Sequence, residues 1–340
     1  MRRRLRSNPP ETSRRSLSRP LGYQSLESRQ VLSAMAVLEA GVLTLTADDQ
    51  PNEIAVRTDV ENQTLVVNID GRVAEFPNAR VEHLSIDAKG GDDTVSINEN
   101  VRQTTSIQGG RGNDVITAGM ADDRIAGGPG FDVIYARGGN DTVSGGEDSD
   151  FIEGGEGNDV IHGNVGNDIL FGGAGDDSVN AGDGDDYLIG GSGHDTLNGG
   201  NGNDWIFGDA TNSYPEGYVD PVEYARDFAD TNRGNDVIYG GGGNDVIHAG
   251  AGNDLVRGGA GNDVIYGGRG DDRLSGGDGR DRIFGGEGND WLHGGGGSDH
   301  LEGGEGNDRV HARDGEQDRI VTDGVDRLLT DDLDRIIVLS

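Results

Sequence analysis

From Gly109 to Phe207 the chain repeats every nine residues without a slip, in eleven units. The first clean unit reads Gly109-Gly110-Arg111-Gly112-Asn113-Asp114-Val115-Ile116-Thr117. Nine more units run from Thr231 to His311. The sixth position is Asp and the eighth is Ile, Leu or Val in all twenty. Such a short period overrides the two average domains that 340 residues would otherwise suggest. Each unit is one step of a stack and buries its apolar residue against the neighbouring steps. Of 62 glycines, 53 lie in the two blocks, a bias that by itself suggests disorder. The strict apolar eighth position argues against that, because a disordered tract has no reason to hold it.

Positions 7 to 9 read as a short strand with the eighth side chain inward. Positions 1 to 6 read as a turn whose glycines permit positive φ and leave backbone carbonyls uncovered. Calcium takes about six to eight oxygen ligands, carboxylates and carbonyls among them. The Asp at position 6 supplies a carboxylate and the turn supplies carbonyls. The candidate ligands are Asp114, Asp123, Asp132, Asp141, Asp150, Asp159, Asp168, Asp177, Asp186, Asp195 and Asp204 in the first block. In the second they are Asp236, Asp245, Asp254, Asp263, Asp272, Asp281, Asp290, Asp299 and Asp308.

Charge agrees. Formal net charge is −34; the first 30 residues carry eight Arg against Glu11 and Glu27, so the remainder carries −40. A compact body at that charge repels itself, nucleic acid and anionic membranes, and requires cations. There is no Cys, hence neither disulfides nor thiolate metal sites. No run of 18 apolar residues is present to span a membrane as a helix.

The nonapeptide resembles the RTX, or hemolysin-type calcium-binding, repeat family. That resemblance implies an all-β fold, a right-handed parallel β-roll solenoid with two nonapeptides per turn. It also implies multiple Ca2+ ions in rows between loops two repeats apart, pairing Asp114 with Asp132 and Asp123 with Asp141. Counted block by block, this gives about sixteen ions and lowers the body's charge to about −8. Some units depart from the pattern. Position 4 is Ala121 in one and Asp148 in another; position 5 is Phe131, Ser149, His194, Arg280 and Ser298; Thr231-Asn232 replaces a leading Gly pair.

Around the two blocks (109–207 and 231–311), residues 1–36 read as a disordered or targeting leader. The stretch Ser25 to Ala34 resembles leaders of large secreted bacterial proteins. Residues 37–108 read as a β-rich N-terminal cap, with strands expected at 42–46, 53–57, 64–69 and 81–86. Gly90-Gly91-Asp92-Asp93 is an imperfect repeat whose Asp93 precedes Asp114 by 21 residues, out of register. Residues 208–230 interrupt the array with Tyr214, Tyr218, Asp220, Glu223 and Tyr224, a mixture suited to a solvated excursion or a glycan-binding loop. Residues 312–340 read as a C-terminal cap of glycine-poor rungs, where Asp318, Asp326 and Asp334 each precede an Arg and an apolar residue.

Without ions the acidic stack is expected to be largely unfolded, because each rung buries little apolar surface. Extracellular calcium modules bind at about 10⁻⁴ to 10⁻³ M, so such sites fill outside a cell. The expectation is a secreted or cell-surface, non-enzymatic, structural or adhesive protein that folds on binding calcium, with an extracellular glycan or cell surface as possible partner. The alternative is an accessory or targeting module of an extracellular polysaccharide-active enzyme. There is no H-E-x-x-H and no G-x-S-x-G. Gly191-Ser192-Gly193-His194 sits in a repeat loop and reads as turn geometry. A pore-forming toxin would need a long apolar helical region, which is missing. His162, His248, His293 and His311 at position 9, and Trp205 and Trp291 at position 7, are expected on an outward face, the histidines solvated.

Overall fold

The computed structural model describes residues 35–209 and 234–339. Two parallel-stranded sheets run the length of the stack, one of 15 strands and one of 16, and successive nonapeptides alternate between them. Within each sheet the pairing offset is 18 residues, as in Ile134 opposite Ile152 and Val143 opposite Ile161. Position 8 is the inward residue on every rung. Ile116, Ile134, Ile152, Leu170 and their counterparts from the opposite sheet form one continuous buried core. Among the described residues there is no α-helix, and none long and apolar enough to cross a membrane.

The N-terminal strands fold as hairpins that feed this stack. β1 (Met35–Glu39) and β2 (Val42–Thr46) pair antiparallel, as do β3 (Glu53–Asp59), β4 (Thr64–Ile69) and β5 (Arg72–Pro77) in series. β2 and β3 are already rungs of the roll, pairing parallel with His83–Asp87 and Thr94–Ile97. Parallel pairing therefore begins before the glycine repeats do, carried by the alternating burial of Leu43, Leu45, Ile54 and Val56. The antiparallel hairpins occupy that end of both sheets, leaving β1 and β5 as edges.

The ladder also crosses the sequence interruption. Leu197 pairs with Ile238 and Ile206 with Ile247, in the same register as every other rung. The 208–230 segment and Thr231-Asn232, read above as insertion and restart, lie outside the described residues apart from Gly208 and Asp209. Beyond His311, strands Arg319–Thr322, Arg327–Leu329 and Arg335–Val338 continue both sheets.

The outer face of the 16-stranded sheet is less solvated than expected. Phe171, Tyr187, Ile189 and Phe207 form a second buried cluster, with Phe151 and Trp205 against it. His248 stacks between Phe207 and Tyr266, with ring centroids 5.1 and 4.5 Å away. Burial there pushes its pKa down to about 4, so it is a neutral stacking ring and not a solvated one. Trp291, on the other sheet, does face solvent, at 46% exposure.

Candidate metal centre

In the regular units the strand is longer than positions 7 to 9: it runs on through position 3 of the next unit, as in Phe151–Glu156 and Val160–Val165, so the turn that reaches the Asp is confined to positions 4 to 6. Position 2 and position 4 glycines take positive φ, +115° at Gly155 and +125° at Gly157. Each also lies against a carbonyl of the preceding rung, where a side chain would collide with the oxygens of Arg137 and Gly139. These are the reasons the turn tolerates little but glycine. Asp148 takes the position-4 conformation at φ +76°, strained for a non-glycine residue, whereas Ala121 does not enter that region.

All twenty position-6 carboxylates are buried, and they form two columns, one along each row of turns. Every Oδ1 in these columns has the same task. It accepts the backbone N–H of the equivalent residue on the preceding rung, as Asp159 Oδ1 does from Asp141 at 2.7 Å and Asp177 Oδ1 from Asp159 at 2.8 Å. The same bonds span the interruption, from Asp195 N–H to Asp236 and from Asp204 N–H to Asp245. Block-by-block pairing omits those two links.

Oδ2 is the contrasting atom. In nineteen of the twenty it is buried with no hydrogen-bond partner among the described residues. The exception is Asp123, whose Oδ2 accepts the Gly119 N–H at 3.1 Å, in the unit that carries Ala121. Where position 1 is glycine, from Gly109 to Gly285, the orphaned Oδ2 of the same unit lies beside it together with a carbonyl of the next rung. A methyl group placed on Gly154 would collide with both Asp159 Oδ2 and the Gly172 carbonyl oxygen. That space is bordered by oxygen and supplied with no donor. A buried carboxylate oxygen without a partner costs about 1–3 kcal/mol or more, and here the arrangement recurs on almost every rung. The donor set is all oxygen, which suits a hard cation such as Ca2+.

The electrostatics follow from this burial. Desolvation, more than any other cause, raises the pKa values of Asp141, Asp150, Asp236 and Asp272 to about 8. Asp177, Asp186, Asp195 and Asp204 rise to about 7, again mainly through burial, with neighbouring carboxylates in the column adding to it. The hydrogen bond donated to each Oδ1 acts in the opposite direction and does not compensate.

Two members of the columns were not evident from the repeat. Asp93 is buried, accepts the Asn52 N–H at 2.6 Å and donates its own N–H to Asp114. Asp318 accepts the Asp299 N–H at 2.8 Å. Both leave Oδ2 unpartnered. Position 5 has a role that was also missed. Its side chain accepts the N–H of position 5 on the next rung, as in Asp122 to Asn140 to Asn158 to Asp176 to His194. His194 then accepts the Asn235 N–H through Nδ1 at 2.8 Å, so it extends an amide ladder. Phe131 and Arg280 donate their N–H to Asn113 and Asn262 in this way but have no side-chain acceptor with which to continue the ladder.

The family model for the RTX calcium-binding nonapeptide repeat matches the chain at residues 105–134, 118–152, 144–179, 180–214, 224–256, 249–283 and 284–316. No curated protein matches the chain. The matched segments cover more than half of the sequence, and their turns are the ones that carry the two columns of buried Asp. The chain belongs to the RTX calcium-binding nonapeptide repeat family, whose repeats bind Ca2+ at multiple sites.

Proposed function

We propose that the orphaned Oδ2 atoms of the position-6 aspartates are the carboxylate ligands of the calcium rows. On this reading each ion lies between one Oδ2 and turn carbonyls of adjacent rungs. The observation that carries it is the recurrence of a buried, donor-free oxygen beside a next-rung carbonyl wherever position 1 is glycine, from Asp114 at Gly109 to Asp290 at Gly285. Oδ1 positions the carboxylate through the preceding rung, and calcium adds the countercharge that lets Oδ2 remain ionised while buried. Folding and ion uptake are therefore one process. Calcium titration of the chelator-treated chain, followed by circular dichroism, tests this. Strand content should rise with bound calcium, and equal strand content with and without chelator would overturn it.

The wider role we propose is that of a secreted or cell-surface protein, structural or adhesive and without catalysis, that folds on reaching a calcium-rich exterior. Its support is the net charge of −34 and sites of a kind that fill at about 10⁻⁴ to 10⁻³ M calcium. A glycan-targeting role, adhesive or as a module beside a polysaccharide-active enzyme, draws on one further observation. Exposed Trp291 stands in register between Arg273 and Arg309, an aromatic plane between two cations. A glycan array read with calcium and with chelator tests it: calcium-dependent retention of acidic glycans is expected, and no retention in either condition removes the glycan reading.

A further inference from the structure

The column that contains Asp299 ends differently from the rest of the stack. On regular rungs the space in front of the position-1 glycine is closed by a next-rung carbonyl, such as Gly303 O facing Gly285. At Gly294, as at Gly303 in the other column, that carbonyl is not among the three nearest atoms. The three nearest atoms all belong to Asp299, and the last of them is at 3.3 Å. The next loop, 312–318, is one residue longer than the repeat, so Asp299 and Asp318 are 19 apart instead of 18. This loop brings in a side chain. One carboxylate oxygen from each of Asp299, Asp314 and Asp318 lies within 4.8 Å of the other two.

Two of the three are buried and aimed into the cluster with nothing to bind. Asp299 uses Oδ1 for the Asp281 N–H, and Asp318 uses Oδ1 for the Asp299 N–H. The Oδ2 of each has no partner among the described residues. Asp314 is exposed and is held over the site by the Gly297 and Glu316 amides, at 3.3 and 2.8 Å. None of the three forms an ion pair with a described residue.

We infer that Asp299, Asp314 and Asp318 form a three-carboxylate Ca2+ site, built differently from the repeat sites and tighter than they are. It rests on the reading of Oδ2 as ligand proposed above, and adds to it Asp314 and Asp318, which lie outside the nonapeptide pattern. Carboxylate oxygens within 4.8 Å of one another suit an ion that holds its ligands at about 2.3–2.6 Å. Three carboxylates in place of one carboxylate and carbonyls raise affinity through ligand charge. The site ties the glycine-poor terminal rungs to the last glycine-rich ones.

The test is calcium binding to the full chain in chelator-buffered free calcium, with Asp314→Asn and Asp159→Asn read beside the unaltered protein. Asp314→Asn keeps one acceptor oxygen for the loop. It should remove one ion from the tightest class, or raise the calcium needed to fill it at least about ten-fold, and leave the remaining ions in place. Asp159→Asn should remove one ion from the weaker class. A tight class unchanged in Asp314→Asn overturns the three-carboxylate site, while unchanged binding in Asp159→Asn overturns the general reading of Oδ2. If Asp314→Asn fails to fold at saturating calcium, Asp314→Glu decides: recovery of the tight ion supports the site, and a folded protein without it overturns it.

Discussion

Residues 138–209 and 257–335 share one fold, one register and the same buried Asp columns, yet their charges differ sharply. The first stretch has sixteen carboxylates and not one Lys or Arg; the second has nineteen carboxylates and ten Arg. In the second, Arg282 and Arg319 flank His300 in register on one sheet, as Arg273 and Arg309 flank Trp291 on the other. The arginines nevertheless do little for the buried columns. Asp272 is raised to about 8 beside Arg273, as high as Asp141 and Asp150 in the cation-free stretch. Burial is the first cause in all three. The strand arginines Arg273, Arg282 and Arg309 are exposed on the outer face, while the column carboxylates are buried inside the turns. Buried and surface charge are thus carried by different residues: the unpartnered Oδ2 atoms recur in both stretches, and the outer field distinguishes them.

The largest effect should come from withdrawing calcium while following hydrogen exchange along the chain. Both stretches should lose protection, because neither column has another countercharge. As free calcium falls, residues 138–209 should lose it first, since no side-chain cation offsets their surface repulsion. Simultaneous loss would show that the roll melts as one unit and that the outer field is irrelevant to order of release.

Next in size is the response of the metal-free chain to pH. The folded pKa values of the column aspartates are raised above the ordinary carboxylate value, to about 6 at Asp114, about 7 at Asp195 and about 8 at Asp236. A raised carboxylate pKa means that the fold favours the protonated form. The stability this contributes is fully present below the unfolded pKa and is lost as pH rises through the folded values. The chelated protein should therefore gain strand structure between pH 8 and 5, in both stretches alike. With calcium bound the ionised form is favoured, and the dependence should reverse, with protons released on binding. Circular dichroism across that range, with and without chelator, reads both signs. A flat profile in the chelated protein would break the link between burial and calcium demand.

Much of this was legible in the sequence, and the parts that were not share a cause. Position 8 as core and position 6 as the acidic column follow from a period that never slips inside a block, and the family resemblance implies the 18-residue pairing. Asp93 and Asp318 escaped because their loops carry extra residues, making spacings of 21 and 19, although hydrogen bonding puts them in line with the rest. The strands match rungs in space, whereas periodicity counts residues. The same is true of Asp195 and Asp236, 41 residues apart and yet adjacent. His248 was expected in solvent because position 9 faces outward, but on that face Phe207 and Tyr266 from the neighbouring rungs cover it. The division of work between Oδ1 and Oδ2 leaves no mark on the sequence, since both belong to one letter.

A smaller effect should separate ion loss from fold loss at single rungs. Asp159→Asn, in the cation-free stretch, and Asp272→Asn, beside Arg273, each keep an oxygen to accept the preceding rung's N–H. Each replaces the orphaned oxygen with an amide that can donate to the next-rung carbonyl. In calcium, each variant should bind one ion fewer and lose stability. In chelator, each should be more stable than the parent by about 1 kcal/mol, the net value of one hydrogen bond, plus whatever burying one fewer charge returns. Calorimetry and thermal melts in both conditions check this. Because burial governs both sites, the two variants should behave alike at about 0.15 M salt. The surface difference should emerge only when salt is lowered to about 0.01 M, where the Debye length grows from about 8 to 30 Å. There the parent's residues 138–209 should need proportionally more calcium to regain protection than residues 257–335, and equal calcium midpoints at low salt would mean that the ten arginines do not set the contrast between the two stretches.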